Sequence, residues 1–186
     1  MDMQAKGSLL VLSGPSGCGK NTVLDALMAI DSEICQTVSA TTRAARAGEK
    51  NGVDYYFISE KEFLRRVEND EFVEYVQYAN RYYGTLRSEI DNMLSAGRKV
   101  VLVIEVNGAA NIKRLYPQAK TVFLMPPSPE MLRERISVRG AMNTDELDHR
   151  MQIAEEEMAK SKDYDYIVVN DDLDEAVKEV YNIILK

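Results

Sequence analysis

Apolar residues gather in four short runs, Leu9–Leu12, Val100–Val106, Thr121–Met125 and Tyr166–Val169, all rich in β-branched and aliphatic side chains. Long stretches with helical spacing separate several of them. Continuous apolar strands alternating with helices predict an α/β fold, a parallel sheet flanked by helices on both faces. From Thr22 to about Ala29 the spacing sets Val23, Leu24, Leu27 and Met28 on one helical face. From Leu173 to Leu185 it does the same for Leu173, Ala176, Val177, Val180 and Ile184. These two helices are expected to wall the core. No internal repeat or low-complexity tract interrupts the pattern.

Two inserts break it. Residues 38–85 turn polar and aromatic, with Tyr55, Tyr56, Phe57, Tyr82 and Tyr83 interleaved with Arg43, Arg46, Glu49 and Asp54. Residues 133–160 are densely charged and carry no strand pattern. Such segments fit a ligand-binding flap and a helical lid better than a core.

A chain of 186 residues suits one domain with a sizeable core and smaller mobile subdomains. The net charge of −7 repels nucleic acid polymers on average, so basic residues should act in a local pocket. The apolar runs are too short to span a bilayer, and the N-terminus lacks a signal-peptide pattern, so a cytoplasmic protein is expected. Cys18 and Cys35 form no disulfide framework and have no metal-ligand spacing. Cys18 reads as a loop filler facing away from the ligand, Cys35 as a small core residue, and the single histidine, His149, as a surface or lid residue.

The strongest chemistry follows the first apolar run. Gly14-Pro15-Ser16-Gly17-Cys18-Gly19-Lys20-Asn21-Thr22 stands between a strand pattern and a helix pattern. Its glycines let the backbone curl so that several N–H groups point at an anion. The helix N-terminus adds a partial positive charge and Lys20 a full one. This is a cradle for a nucleoside triphosphate. The residue after the lysine departs from the usual Ser or Thr; it is Asn21, with a hydroxyl one place later at Thr22.

The first insert holds candidates for a second substrate. In Ser39-Ala40-Thr41-Thr42-Arg43-Ala44-Ala45-Arg46 two arginines lie three apart. Their planar forks match phosphate oxygens, and a tyrosine hydroxyl completes a monophosphate site. Standing alone, the same residues would read as a solvated basic turn. Phe72-Val73-Glu74 adds a carboxylate able to accept from the N1–H and N2–H₂ edge of guanine, while Ser39 and Thr85 hydroxyls can donate to O6. Adenine lacks that pair of donors and would be excluded.

Taken together, these motifs resemble the guanylate kinase family over nearly the whole chain, from the glycine loop through Ser39–Glu49 and Tyr82-Tyr83-Gly84-Thr85 to Val169-Asn170-Asp171-Asp172-Leu173. The resemblance implies a kinase moving a phosphoryl group from ATP to GMP, with dGMP as a further substrate and magnesium as cofactor. It implies one domain, residues 1–186, with a core at about 1–37, 91–131 and 161–186, a GMP-binding subdomain at about 38–90 and a lid at about 132–160. By the same resemblance Ser39, Glu74 and Thr85 read guanine, and Arg43, Arg46, Tyr55 and Tyr83 hold the GMP phosphate. Residues Gly14 to Thr22 hold the ATP phosphates, and Asn170 and Asp171 fall where the family contacts adenine. Lys20, Arg46 and the lid arginines Arg139 and Arg150 stabilise the transferring phosphoryl group; Arg133 and Arg135 stay open, one of them a candidate to pack on adenine.

Magnesium would be held mostly through phosphates and water, with Asn21, Thr22 or Glu105 assisting. The family usually carries an aspartate at positions 103 and 105, which a strand over Val101–Glu105 would put on one face. Here position 103 is Val and only Glu105 is acidic. A monomer or small homo-oligomer, acting in purine nucleotide metabolism and GMP recycling, is expected. The competing class is a catalytically weak guanylate-kinase-like module that binds phosphopeptides.

Overall fold

A computed structural model describes residues 7–138 and 143–186 of the chain. It is an α/β protein whose five-stranded sheet has the order β2-β7-β1-β8-β9, made of β1 (Ser8–Ser13), β2 (Ile34–Cys35), β7 (Lys99–Val103), β8 (Lys120–Met125) and β9 (Tyr166–Val169). Strand β1 is central. It runs parallel to β8, with Leu10 opposite Lys120 and Ser13 opposite Phe123, and β8 runs parallel to β9. The described residues divide into two compact units: Cys35–Val100 with the residues up to Ser8, and Leu9–Ile34 with Val101–Lys186.

In the second unit, Leu10 and Leu12 of β1, Val122 and Leu124 of β8 and Val168 of β9 present one apolar face. Helices α1 (Lys20–Ile30) and α7 (Leu173–Leu185) cover it with Val23, Leu24, Leu27, Val177, Val180 and Ile184. All are nearly fully buried, each contributing on the order of 1.5–3 kcal/mol of transfer free energy. Met28 is only partly buried, and Leu173, expected on the buried face, is 36% exposed at the first residue of α7. Helix α4 (Val106–Leu115) packs Ala109 and Ile112 inward. The charged segment is two helices, α5 (Pro129–Val138) and α6 (Thr144–Met158), joined through Leu132, Ile136, Met151 and Ala154. Asn143 caps α6 by accepting the Glu146 N–H, and Asp172 caps α7 by accepting that of Glu175.

One expectation about the strands is corrected. The apolar run Val100–Val106 does not form one strand: β7 ends at Val103, and Glu105 is the extended N-cap residue of α4. Strand alternation therefore does not relate positions 103 and 105. Val103 packs against the apolar core instead.

The first unit, read from the sequence as a ligand-binding flap, is built on a sheet of its own. Strands β3 (Ala40–Thr41), β4 (Tyr56–Phe57), β5 (Phe72–Tyr78) and β6 (Arg81–Leu86) form a second sheet, order β4-β3-β6-β5, accompanied by α2 (Glu60–Glu68) and α3 (Arg87–Ser95). Its core is Ala40, Phe63, Phe72 and Leu86, with Tyr56 and Tyr82 packed alongside. The Phe63 ring stacks on Phe72 at 4.3 Å and on Tyr82 at 5.3 Å.

Candidate functional site

Strand alternation explains how the small sheet becomes a binding surface. Ala40 lies opposite Gly84 and Tyr56, and these positions share a face with the Phe63 core. The intervening positions must point the other way. Thr41 opposes Tyr83, Glu74 opposes Thr85, and continuing the β3–β6 register sets Ser39 opposite Thr85. Ser39, Glu74, Tyr83 and Thr85 thus fall on the face turned away from α2. At Gly84 a side chain would meet the Glu74 carbonyl and the Phe72 ring, so the strands close up only because none is there.

Two polar clusters occupy this face. In one, the buried Thr85 hydroxyl donates to Glu74 Oε1 at 2.6 Å. In the other, the Arg43 guanidinium lies 5.4 Å from the Tyr55 ring centre and 5.6 Å from that of Phe57, and Tyr55 meets Tyr83 edge-on at 6.1 Å. Arg43, Tyr55 and Tyr83, far apart in sequence, are brought together. Arg46 lies on the exposed turn that follows, and its guanidinium donates no hydrogen bond among the described residues.

A residue without an assigned role in the sequence reading organises this cluster. Glu49 accepts both Arg43 Nη groups, at 2.8 and 2.9 Å, and the Arg46 backbone N–H at 2.7 Å. The guanidinium hydrogen bonds, helped by that N–H, hold its carboxyl at about 2. The visible signal was a glutamate after Gly48, six residues beyond the arginine.

In the second unit the glycine loop leaves β1 and ends at Gly19, which caps α1 with a left-handed backbone, φ 99°. A side chain at Gly19 would strike the Asn170 amide, and one at Gly14 the Leu124 carbonyl. Helix α1 has no side-chain cap and no acidic residue in its first turn. Its leading N–H groups and positive dipole end therefore remain available to an anion. Lys20 Nζ donates to the Gly14 carbonyl at 2.6 Å and to that of Pro15 at 3.2 Å. Asn21 and Thr22 are exposed or nearly so beside it. The Cys18 side chain is fully buried in the core, and burial pushes its thiol up.

Asn170 fixes the loop from far along the chain. Its backbone N–H donates to the Met125 carbonyl, and its buried amide donates to the Cys18 carbonyl at 2.8 Å. Its own carbonyl accepts from Arg135 at 3.2 Å. Beside it opens a cleft of about 500 Å³ lined by Gly17, Gly19, Thr22, Met131, Arg135 and Asp171. Arg133 instead pairs with Asp148 at 2.6 Å, tying α5 to α6. Arg150 faces Glu146 one turn earlier on α6, at 3.8 Å and largely in solvent. Arg139 lies outside the described residues. His149 is exposed on α6.

A carboxylate of α6 adds to the charge around this loop. Glu157, near the end of the helix, is half-buried and lies in the fields of Glu105 and Lys20. Burial first, then the like charge of Glu105, pushes its carboxyl up. Sequence reading missed it within the acidic run 155–157, although helical phase sets it one turn beyond buried Ala154.

Known proteins resemble this chain along nearly its whole length. Residues 6–186 match the family model described as guanylate kinase. The chain is similar to the guanylate kinase of Latilactobacillus sakei, 44% identical over 183 residues, which are 98% of this chain and 90% of that one. It is similarly close to that of Caldanaerobacter subterraneus, 41% identical over 185 residues, 100% of this chain and 90% of the relative. Among solved structures, the guanylate kinase of Anaplasma phagocytophilum superposes with a TM-score of 0.73 at 36% identity, covering 98% of this chain and 86% of that one. A shikimate kinase from Bacteroides thetaiotaomicron, 19% identical with a TM-score of 0.55 over 96% of this chain and 99% of that one, shares the fold.

Proposed function

The chain belongs to the guanylate kinase family and is a kinase, and on that premise we propose that it transfers the γ-phosphoryl group of ATP to GMP, giving ADP and GDP. The observation that carries the substrate choice is the polar face of the small sheet. Glu74 and Thr85 are joined at one point of it, and Tyr83, with Arg43 and Tyr55, lies two residues along the same strand, roughly 7 Å away. That is a carboxylate for the guanine edge and a cationic cluster for the phosphate at nucleotide spacing. Ser39 and Thr85 complete the reading of O6, and Arg46 joins Arg43, Tyr55 and Tyr83 on the phosphate. Since Glu74 reads the base and not the sugar, dGMP is a substrate as well.

On this reading residues 38–90 form the GMP-binding subdomain, about 132–160 the lid, and the remainder the core. The N–H groups from Gly14 to Thr22 take the ATP phosphates, Lys20 exchanges the loop carbonyls for β- and γ-oxygens, and Asp171 with the cleft beside Asn170 takes adenine. Arg139 and Arg150 meet the charge that spreads over the equatorial oxygens during transfer, where positioning and cationic stabilisation supply the catalysis.

The donors beside Lys20 are an amide and a hydroxyl, Asn21 and Thr22, and the described residues hold no group of three or more His, Cys, Asp or Glu side chains able to bind a metal. Such a set suits magnesium carried mostly by phosphate oxygens and water, with Asn21, Thr22 or Glu105 reaching its water shell. When bound, the ion neutralises charge on the β- and γ-oxygens. No helix among the described residues is long and apolar enough to cross a membrane. We place the protein in the cytoplasm, in purine nucleotide metabolism and GMP recycling.

The test is a coupled assay for ADP formation with GMP, dGMP, AMP, dTMP and UMP offered separately. Turnover is expected with GMP and dGMP alone. Equal turnover with AMP would refute the role given to Glu74, and no turnover with any acceptor would favour a binding module.

A further inference from the structure

Arg43 is held by its own chain in a way that leaves one edge over. A guanidinium carries five N–H donors in one plane. Three hydrogen bonds use both Nη groups of Arg43: Nη1 donates to the Ala44 carbonyl at 2.8 Å and to Glu49 Oε2 at 2.9 Å, and Nη2 donates to Glu49 Oε1 at 2.8 Å. Glu49 therefore takes the end-on fork, the one formed by the two Nη groups. These bonds leave the side-on fork, the Nε–H and the second N–H of Nη2, a parallel pair that fits two oxygens of one anion. The same chain shows that fork in use at Arg65, whose Nε and Nη2 each reach an oxygen of Glu62 at 2.8 Å. The Arg43 and Glu49 side chains are only 17% and 20% exposed, so this pair is less loosened by solvent than a surface one.

Glu49 holds Arg46 as well. Its Oε2 accepts the Arg46 N–H at 2.7 Å, while its own N–H donates to the Arg46 carbonyl at 3.1 Å. One carboxylate thus closes the turn that carries Arg46 and fixes the plane of Arg43.

We propose that Glu49 is the positioning residue of the acceptor-phosphate site: it clamps Arg43 end-on, makes the side-on fork the edge presented to the phosphate, and keeps its place when the phosphate binds. The inference rests on the reading that Arg43 and Arg46 hold the GMP phosphate. An unclamped arginine has to freeze several torsions as it meets an anion; here that ordering is done on folding. Carboxylate and phosphate use different edges of one cation, so neither displaces the other. Since the charge of Glu49 opposes that of the phosphate, its benefit comes only through the geometry of the arginines. Charge alone would make its removal tighten GMP; loss of the clamp makes it weaken GMP. Glu49 touches Arg43 and Arg46, not the reacting atoms.

This difference in sign sets the experiment. Calorimetry would compare GMP, guanosine, and AMP-PNP with magnesium on wild type, Glu49→Gln, Arg43→Lys and the double variant. The expected result is GMP about ten- to thirtyfold weaker in Glu49→Gln, with guanosine and AMP-PNP within about twofold. In an Arg43→Lys background, where no fork remains to orient, the loss from Glu49→Gln should shrink to about threefold or less. In the wild type, a test that needs no variant to fold, saturating GMP should shift the Arg43 Nε–H resonance, guanosine should not, and the Glu49 side-chain carboxyl resonance should hardly move. Equal or tighter GMP binding in Glu49→Gln, an equal loss for guanosine, full additivity in the double variant, an Arg43 Nε–H that GMP leaves unmoved, or a Glu49 carboxyl resonance displaced by GMP would overturn the proposal. Failure of the wild type to bind GMP at all would sink the acceptor reading, and the proposal with it.

Discussion

Replacing Glu74 by glutamine changes one oxygen to an amide, keeps the size, and tests the assignment of the base. In the free protein one carboxylate oxygen accepts the Thr85 hydroxyl at 2.6 Å. A carboxylate offers about four lone-pair sites over its two oxygens, so Glu74 can face both N1–H and N2–H₂ of guanine while the single Thr85 proton turns from Oε1 to O6. Glutamine retains one oxygen and turns an N–H₂ toward one of those donors. One hydrogen bond to a charged acceptor is then lost, worth roughly 1.5–3 kcal/mol. At about 1.4 kcal/mol per decade, GMP affinity should fall between about tenfold and somewhat over a hundredfold. Thr85→Val is the companion: it removes the hydroxyl, leaves the charge, and should weaken GMP only several-fold. Calorimetry with GMP, and separately with AMP-PNP, measures both. Affinity for the ATP analogue should stay within twofold in each variant. A folded Glu74→Gln protein that binds GMP within twofold of wild type would refute the guanine assignment.

Three further outcomes are expected. Asn170→Ala removes the donor to the buried Cys18 carbonyl and strands that acceptor, at about 1–3 kcal/mol; the melting temperature should drop by several degrees and the KM for ATP rise while that for GMP stays within twofold, and an unchanged melting temperature and KM would contradict the role given to this amide. Arg150→Ala should lower kcat about a hundred- to thousand-fold with both KM values within a few-fold, and because its ion pair with Glu146 lies at 3.8 Å in solvent, stability should hardly change; a loss confined to KM would limit Arg150 to ground-state binding. Glu49 titrates at about 2 in the folded protein against about 4.5 when unfolded, so its stabilisation is complete above 4.5 and fades as pH falls toward 2. The melting-temperature gap between wild type and Glu49→Gln should therefore be constant from pH 7 to 5 and narrow below 4.5; a gap that widens in acid would reverse the sign.

What could be read from the sequence were features whose cause is local. Periodicity gives α7 over Leu173–Leu185 and the strands around Leu9–Leu12, Thr121–Met125 and Tyr166–Val169 because each buries a face fixed by its own spacing. The glycine loop was legible because its chemistry is contiguous. The run Val100–Val106 misled because no glycine, proline or asparagine marks the break after Val103; the helix begins at Val106, and only Ile104 and the extended backbone of Glu105 divide the two elements. The small sheet was hidden in part by shortness: β3 and β4 have two residues each, too few to show a pattern, and packing of Ala40 and Tyr56 in the Phe63 core holds them. Glu49 and Glu157 could not be singled out, since their importance depends on partners that only folding brings near.

The bond between Asn170 and the Cys18 carbonyl spans 152 residues of chain. Synthesis at about 5–20 residues per second separates the two by about eight to thirty seconds. During that interval the glycine loop exists as sequence but lacks the amide that anchors it, and β9, the edge strand that delivers Asn170, has yet to join β8. A motif made long before its anchor is therefore among the last parts of this protein to take its working form. A nascent chain halted before residue 170 should carry the loop and yet have no finished nucleotide site.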